Sequence, residues 1–256
     1  MSDSIVHSAV TEILDRLKKK NVHARHLSGL PVQHVYELIE SDAAGFPNSG
    51  SILVMQSNFQ DCVDPVRRRT VFGLQRECLM KGRPFIETPF YLLENIAEAG
   101  LNWLEYPAAE MIDHAVESIL ESLHNPEMPV TVTKIFKIAY GHKLENQHLD
   151  EAQNKIVFGL CNGPHGHNMQ LEVTVKGWVN PATGMLINFT ELKEVVAKSL
   201  TDKLDHAWLN DVYGDEILTT CEVTTPLMLE KLLPALPNIS RLRVYETDSS
   251  FCEIER

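Results

Sequence analysis

The sequence predicts an α+β fold, because helical and strand-like patterns occupy different parts of the chain. Residues 5–17 carry apolar side chains at steps of three and four, which is the spacing of one buried helix face, and residues 111–123 repeat this spacing. Residues 51–55 form a short apolar run that predicts a strand between these helices. From residue 130 onward apolar and polar residues alternate, as in strands with one buried face.

The change of pattern places a domain boundary near residues 126–130, where Asn125-Pro126 ends the second helix. We expect residues 1–126 to form a mostly helical N-terminal region of unknown type and function, and residues 130–256 to form a second domain. In that domain the sequence predicts, in order, strands from 130 and over 171–177, a turn at 180–184, a helix over 192–200, a shorter helix after Thr225-Pro226 and a strand over 241–245.

Composition excludes several classes of protein. The chain has 256 residues, 44% of them hydrophobic, and a net charge of -12, with no basic segment long enough for nucleic-acid binding. No apolar run approaches the roughly 20 residues of a membrane span. The five cysteines are scattered and odd in number, which is typical of a reducing compartment. We therefore expect a cytoplasmic protein that has neither nucleic acid nor membrane as a partner.

The segment around His165 and His167 predicts a metal site. On an extended backbone these side chains point to the same face, and Gly166 leaves the opposite face clear. A catalytic zinc ion uses three protein ligands and keeps one position open. His142, at the end of the preceding strand, is the favoured third ligand, and His148 is the alternative.

Four further residues, at three places in the chain, carry acid or base groups. Cys161 lies four residues before His165, and a thiolate beside a metal can act as base, nucleophile or ligand; a buried structural cysteine is the alternative. Asp205 and His206 form a proton relay if a bend brings them together, although helix capping by Asp205 is equally consistent with the sequence. Glu246 ends a strand, where a carboxylate can accept two hydrogen bonds from a pterin or guanine edge; an exposed edge glutamate is the alternative.

Taken together, these residues resemble the 6-pyruvoyltetrahydropterin synthase family, which includes the bacterial 6-carboxytetrahydropterin synthases of queuosine biosynthesis. The resemblance covers about Val132 to Cys252 and leaves the N-terminal half unexplained. It rests on these ordered segments: Gly141-His142-Lys143-Leu144, Gly159-Leu160-Cys161, His165-Gly166-His167-Asn168, Glu172-Val173-Thr174-Val175, Thr183-Gly184-Met185, Phe189-Thr190-Glu191-Leu192-Lys193, Leu204-Asp205-His206 and Tyr245-Glu246-Thr247.

The resemblance implies a role for each of these side chains. His142, His165 and His167 would hold zinc, Cys161 would be the catalytic base, Asp205 and His206 would relay protons, and Glu246 would anchor the pterin ring. It also implies a tunnelling fold, in which a four-stranded antiparallel sheet with two helices assembles with copies of itself into a barrel. The partners would be a pterin triphosphate substrate and further copies of the chain, with active sites between subunits.

The product expected at this stage is 6-carboxytetrahydropterin, of the queuosine pathway, with the 6-pyruvoyl product as the alternative. The substrate expected from the resemblance is 7,8-dihydroneopterin triphosphate. Three residues separate Cys161 from His165, which favours the 6-carboxytetrahydropterin product; residues 180–189 look partly like the enzymes that form the 6-pyruvoyl product and release triphosphate. A non-catalytic zinc- or pterin-binding oligomerisation module is the alternative of another class.

One departure from the family pattern affects substrate binding. Family members have a threonine or serine followed by a pterin-binding glutamate at the start of the second helix, whereas this chain has Thr224-Thr225-Pro226 in the corresponding stretch. We expect Glu246, Thr225 and Glu222 to contact the substrate, with Glu222 taking the place of the missing carboxylate.

Overall fold

The structure is a computed structural model that describes residues 2–20, 22–27, 30, 35–41, 51–57, 64–89, 112–113, 115–117, 119–120, 128–180 and 183–256. The chain divides into two compact units. The first unit comprises Met1–Val130 together with Gly177–Leu186, and the second comprises Thr131–Lys176 together with Ile187–Arg256. None of the described helices is both long and apolar enough to span a bilayer.

The first unit is built on a four-stranded sheet in the order β1-β2-β3-β4. Its strands β1 to β3 pair antiparallel, and β3 pairs parallel with β4 across the connecting helix α2. Further helical residues lie between 112 and 120. The bounds are α1 Ser2–Lys19, β1 Val22–His26, β2 Val35–Ser41, β3 Ile52–Ser57, α2 Pro65–Met80 and β4 Phe85–Pro89.

The burial of β3 on both faces explains why its sequence is apolar without alternation. Ile52 and Val54 pack into one buried cluster with α1 and the helical residues near 112–120, while Leu53 and Met55 pack into another cluster with α2. A strand covered on both faces needs apolar side chains at every position. The predicted helix over 5–17 and the predicted strand over 51–55 are present. The mostly helical character expected for residues 1–126 stays a prediction, because much of this region lies outside the described residues; those that are described also form a four-stranded sheet.

Residues 177–186 belong to the first unit although the sequence places them after the predicted domain boundary. The side chain of Trp178 is buried against Phe85, with ring centroids 5.6 Å apart. The Arg68 guanidinium donates to the Leu186 carbonyl at 2.9 Å, and the Asn180 amide donates to Glu87 at 2.5 Å. The predicted turn lies here: Gly184 has a φ of 67°, which glycine adopts without strain.

The second unit contains a five-stranded sheet in the order β7-β5-β6-β8-β9. Strands β6, β8 and β9 pair antiparallel, and the two-residue β7 pairs parallel with the end of β5. The bounds are β5 Val130–His142, α3 Glu151–Phe158, β6 His165–Gly177, α4 Phe189–Val196, α5 Asp202–Leu204, β7 Ala207–Trp208, α6 Leu209–Tyr213, α7 Cys221–Leu232, β8 Ile239–Thr247 and β9 Ser250–Glu255. A 3-10 turn spans Gly159–Asn162, and a π turn spans Ala197–Thr201. The α+β class predicted from the sequence is confirmed.

Helix α7 begins earlier than the sequence indicated. The Thr225-Pro226 pair predicted a helix start, but the helix begins at Cys221 and contains Pro226 in its interior. Proline there removes one backbone hydrogen bond. The buried face that includes Met228, Leu229 and Leu232 offsets this loss, because the helix packs against β8 and β9. The prediction of a short helix after Pro226 is therefore wrong. The start of this helix is Thr220-Cys221-Glu222, not Thr224-Thr225-Pro226.

Candidate metal centre

Three histidines converge where two neighbouring strands meet. His142 ends β5, and His165 and His167 open β6. A contact at each end of the two strands shows that they run in opposite directions: Thr133 bonds Thr174, and Tyr140 lies against Gly166. The end of one strand therefore meets the start of the other, which brings together histidines more than twenty residues apart in sequence.

The geometry of the cluster fits a metal ion. One ring nitrogen from each of His142, His165 and His167 lies within 4.8 Å of the other two. The Nε2 atoms of His142 and His165 are 3.1 Å apart. The Nε2 atom of His167 is buried and has no hydrogen-bond partner, so a ligand is the group that would satisfy it. This donor set matches a three-histidine zinc site.

The backbone orients two of the imidazoles. The Nδ1 atom of His142 lies 3.0 Å from the Thr219 carbonyl oxygen and 3.2 Å from the Thr219 hydroxyl. The Nδ1 atom of His165 lies 2.8 Å from the Gly163 carbonyl oxygen. Since a carbonyl oxygen only accepts, each Nδ1 carries the proton and each Nε2 is left with a free lone pair. Both rings are thus held in the tautomer that binds a metal through Nε2.

The environment keeps His142 neutral. The pKa of His142 is lowered to about 4, chiefly by burial and in addition by the neighbouring His165 and His167. Only the neutral ring has a lone pair to offer a cation. Tyr140 packs edge-on against His142 and is tilted against His167, which fills one side of the cluster.

Glu246 lies directly beside the histidines. Its Oε1 atom is 3.7 Å from His167 Nε2 and 3.9 Å from His142 Nε2. The carboxylate is partly exposed, so it is accessible to a bound molecule. Glu246 also has an electrostatic effect on its surroundings: burial raises the pKa of the Tyr140 hydroxyl, and the negative charge of Glu246 raises it further.

Cys161 lies in the 3-10 turn that precedes β6 and is half-buried. Its carbonyl accepts a hydrogen bond from Leu144 N–H at 2.8 Å, which holds the turn against the chain that follows His142. His148, the alternative ligand, is exposed and lies outside the histidine cluster.

Asp205 and His206 are brought together by a backbone bend. His206 has a φ of 59°, which is uncommon for a residue with a side chain, and its Nδ1 atom lies 3.1 Å from Asp205 Oδ2. The Asp205 carboxylate accepts from Ala139 N–H at 3.0 Å, and this bond holds the pKa of Asp205 below its usual value. Asp205 thus ties its loop to β5 and does not cap the start of a helix. Both side chains are exposed in the single chain.

The two helix residues expected to bind substrate lie in different environments. Glu222 is exposed in the first turn of α7. Thr225 is fully buried, and its hydroxyl donates to the Cys221 carbonyl at 2.7 Å, so it is used within its own helix. The substrate-binding role of both residues stays a prediction.

Sequence reasoning missed the residues that support the cluster. Thr219 orients His142, and the Asn210 side chain accepts from Lys143 N–H and donates to the Lys143 carbonyl, each at 3.0 Å. A buried asparagine before a turn is a weak signal on its own. Cys221 lies at the start of α7; its thiol donates to the Val244 carbonyl at 3.4 Å, and burial raises its pKa to about 11.

Comparisons with known proteins show which family the C-terminal half of the chain is similar to. The family model described as 6-pyruvoyl tetrahydropterin synthase matches residues 131–256. The 6-pyruvoyl tetrahydrobiopterin synthase of Poecilia reticulata is 36% identical over 138 residues, which are 51% of this chain and 94% of that protein. The chain belongs to the 6-pyruvoyl tetrahydropterin synthase family. Members of this family are lyases.

Two more distant relatives extend the comparison. The 6-carboxy-5,6,7,8-tetrahydropterin synthase of Haemophilus influenzae is 27% identical over 47% of this chain and 99% of that protein. The structure of Caenorhabditis elegans 6-pyruvoyl tetrahydropterin synthase matches with 26% identity and a TM-score of 0.48, covering 50% of this chain and 96% of that one. The family model covers the C-terminal half of the chain, residues 131–256.

Proposed function

We propose that this protein is a zinc-dependent lyase that converts 7,8-dihydroneopterin triphosphate into a 6-substituted tetrahydropterin, with residues 130–256 as the catalytic domain. The observation that carries the proposal is the three-histidine cluster with the Glu246 carboxylate beside it. His142, His165 and His167 would hold the metal. Zinc, when bound, supplies a Lewis acid that polarises hydroxyl groups of the substrate side chain.

The acid and base residues each have a separate proposed role in the reaction. Glu246 would accept hydrogen bonds from the amino and ring N–H groups of the pterin, a planar two-point contact. Because Glu246 lies beside the histidines, a ring bound by this carboxylate carries its side chain close to them. Cys161 as thiolate would remove a proton from a side-chain carbon, and the Asp205–His206 pair would return a proton during tautomerisation.

We propose the 6-pyruvoyl product, formed with loss of triphosphate. Of the two named activities compared, the 6-pyruvoyl synthase relative is 36% identical to this chain and the 6-carboxy synthase relative is 27% identical. The second candidate is the 6-carboxy product, formed with uptake of water by carbon–carbon cleavage, with release of both acetaldehyde and triphosphate. It is favoured by the short three-residue spacing between Cys161 and His165.

One experiment tests the activity and separates the two products. Purified, zinc-loaded protein is incubated anaerobically with 7,8-dihydroneopterin triphosphate, and the products are identified by mass spectrometry. Free triphosphate with a pyruvoyl pterin supports the first candidate, and acetaldehyde with a carboxypterin supports the second. Cys161→Ala should abolish turnover. Absence of any new pterin would leave the non-catalytic zinc- or pterin-binding module as the better reading.

The metal assignment has a matched control within the chain. Zinc content is measured for the unmodified protein, for the double variant His165→Ala/His167→Ala and for His148→Ala, whose histidine is exposed and outside the cluster. We expect about one zinc per chain for the first and third proteins, and a loss of most of the zinc in the double variant. Equal zinc content in all three would contradict the ligand assignment.

We also propose that the active enzyme is a homo-oligomer with its sites between subunits. Leu160, next to Cys161, is 96% exposed, and Ile156 on α3 is 82% exposed. Apolar side chains exposed to this degree are typical of a surface that a partner covers. Among the described residues, β5 is paired on its outer side only at Tyr140 and Gly141, and β9 forms the other edge of the sheet. Open edges of this kind pair readily with another copy.

Light scattering tests the assembly, and mixing tests the shared site. Leu160→Asp should lower the molecular mass measured in solution. If Cys161 and His206 of one site come from different subunits, refolding Cys161→Ala together with His206→Ala should recover part of the activity that each variant lacks. A monomeric active protein would contradict the proposal.

We also propose that the protein acts in the cytoplasm, because the scattered free cysteines among the described residues are typical of a reducing compartment.

A further inference from the structure

A cavity lies within the second unit, lined by residues that are not part of the histidine cluster. It has a volume of about 390 Å³. Its walls come from the π turn, α5, α6, α7 and the loop after α6. The lining residues are Ser199, Leu200, Lys203, Leu204, Val212, Tyr213, Ile217, Leu227 and Lys231. None of them is a predicted catalytic, metal or pterin-binding residue.

The size and lining of the cavity suit a small molecule. Pockets of roughly 300–1,000 Å³ with apolar walls and a few polar groups are typical ligand sites. Five of the nine lining side chains are aliphatic, and they come from five separate segments of the chain. An apolar ligand body would therefore be enclosed from several directions.

One polar group in the lining has no partner. The Tyr213 hydroxyl oxygen is buried and makes no hydrogen bond. Burial also raises the pKa of this hydroxyl to about 12, so it remains a neutral donor at physiological pH. A buried hydroxyl without a hydrogen-bond partner is unfavourable in proteins, and an acceptor on a ligand would remove this cost.

Two cations complete the cavity. Lys203 on α5 and Lys231 on α7 both line it, and both are exposed. Neither lysine forms an ion pair with any residue that the structure describes. The cavity lining contains these two lysines and no carboxylate, so its own charged groups favour an anion.

We propose that this cavity binds a small amphipathic anion, with an apolar or aromatic body against the leucines and a carboxylate, sulfonate or phosphate group at Lys203 and Lys231. The Tyr213 hydroxyl donates to an acceptor on the enclosed part of the ligand. The lining includes none of the proposed metal, catalytic or pterin-binding residues, so the existence of the site does not depend on the proposed reaction.

The test uses a matched pair of probes. The anion 8-anilinonaphthalene-1-sulfonate and its uncharged analogue N-phenyl-1-naphthylamine share the same aromatic body and differ in the sulfonate. Isothermal titration of the full chain should give one site for the sulfonate. Lys203→Ala/Lys231→Ala should weaken sulfonate binding about fivefold or more and leave the uncharged probe within about twofold. Lys198→Ala, which changes an exposed lysine of the same π turn outside the cavity, should change neither.

Two further measurements locate the bound probe. Leu227→Trp fills the cavity and should abolish binding of both probes, and Tyr213→Phe should weaken the sulfonate about threefold. Hydrogen exchange should slow in peptides covering 199–217 and 221–232 when the sulfonate is bound. Sulfonate affinity that is unchanged in the lysine double variant and in Leu227→Trp, or protection confined to other segments, would overturn the proposal. These variants leave the histidine cluster intact, so their outcome is independent of the proposed lyase activity.

Discussion

At the scale of single residues, the metal centre depends on a glycine between two histidines. Gly166 lies on the face of β6 opposite to the ring face, and a Cβ atom at this position would lie 2.9 Å from the Tyr140 carbonyl oxygen. That contact is with backbone, so it can be relieved only by moving β5 away from β6. Because His142 is on β5 and His165 and His167 are on β6, such a shift would separate the ligands.

Gly166→Ala is therefore expected to lower zinc affinity by about tenfold or more, with a stability loss of about 1–3 kcal/mol from the forced contact. Zinc affinity is measured by competition with a chromophoric chelator, and stability by urea unfolding of the metal-free protein. Gly163→Ala is the control, because its Cβ would have only an ordinary contact, 3.6 Å from the Leu160 carbonyl oxygen. Equal affinities for the two variants would contradict this account.

The orientation of His142 leads to a second residue-scale prediction. Its Nδ1 atom faces both the carbonyl and the hydroxyl of Thr219, and Thr219→Val removes only the hydroxyl. Removal of a group that orients a metal ligand typically costs 10–100-fold in affinity. Because the carbonyl remains, we expect about a tenfold loss of zinc affinity. Thr220→Val is the control, since the Thr220 side chain makes no capping hydrogen bond. A Thr219→Val affinity equal to the control would show that the carbonyl alone fixes the ring.

At the scale of elements, the short helix α6 holds the end of β5 in place. Asn210 on this helix bonds both the N–H and the carbonyl of Lys143, the residue after His142. Among the described residues no strand pairs with Lys143. The Asn210 side chain therefore makes the backbone hydrogen bonds that a neighbouring strand would otherwise make. A side chain in this position links helix packing to the position of a metal ligand.

Asn210→Ala should therefore reduce stability by about 1–3 kcal/mol, because it leaves the Lys143 N–H without a partner and the Lys143 carbonyl with only the 3.4 Å bond from the Thr219 hydroxyl. Urea unfolding measures the loss, and zinc binding should weaken with it. Asp211→Ala, an exposed neighbour on the same helix, should change stability by less than about 0.5 kcal/mol. A fully stable Asn210→Ala protein would mean that water or another side chain takes over both bonds.

At the scale of the whole molecule, the units do not follow the order of the sequence. Residues 177–186 follow β6 but pack with the first unit, where Trp178 is 5% exposed and Leu186 is 2% exposed. Gly177 permits the close approach, since a Cβ there would lie 2.1 Å from the Gln75 side-chain oxygen. The segment therefore needs the first unit to cover its apolar side chains.

A chain limited to residues 130–256 should consequently aggregate more readily than the full chain. Without the first unit, Trp178 and Leu186 lose their buried surroundings and form an exposed apolar patch. Soluble yield and light scattering measure the effect. The same fragment with Trp178→Ser and Leu186→Ser should recover much of the solubility. If the unmodified fragment is as soluble as the full chain, the segment does not depend on the first unit for its cover.

Short sequence patterns were sufficient to predict several helices and strands and the direction of two histidine side chains. The alternation of β6 placed His165 and His167 on one face, the helical spacing of residues 5–17 gave α1, and the apolar run at 51–55 gave β3. Each of these patterns lies within a few residues, where side-chain direction follows directly from backbone geometry. The start of α7 was missed because Pro226 has the sequence signal of a helix start, and packing against β8 and β9 outweighs that signal.

Only the tertiary structure decided which distant residues meet. The antiparallel pairing of β5 with β6 brings His142 to the pair at 165 and 167, whereas spacing alone left His148 as an alternative. The same holds for the Asp205–His206 contact, which needs a positive φ at His206, and for the assignment of residues 177–186 to the first unit. Strand register and long-range packing determine these contacts. Their free energy is a sum over many residues that are far apart in sequence, so no local sequence pattern predicts it.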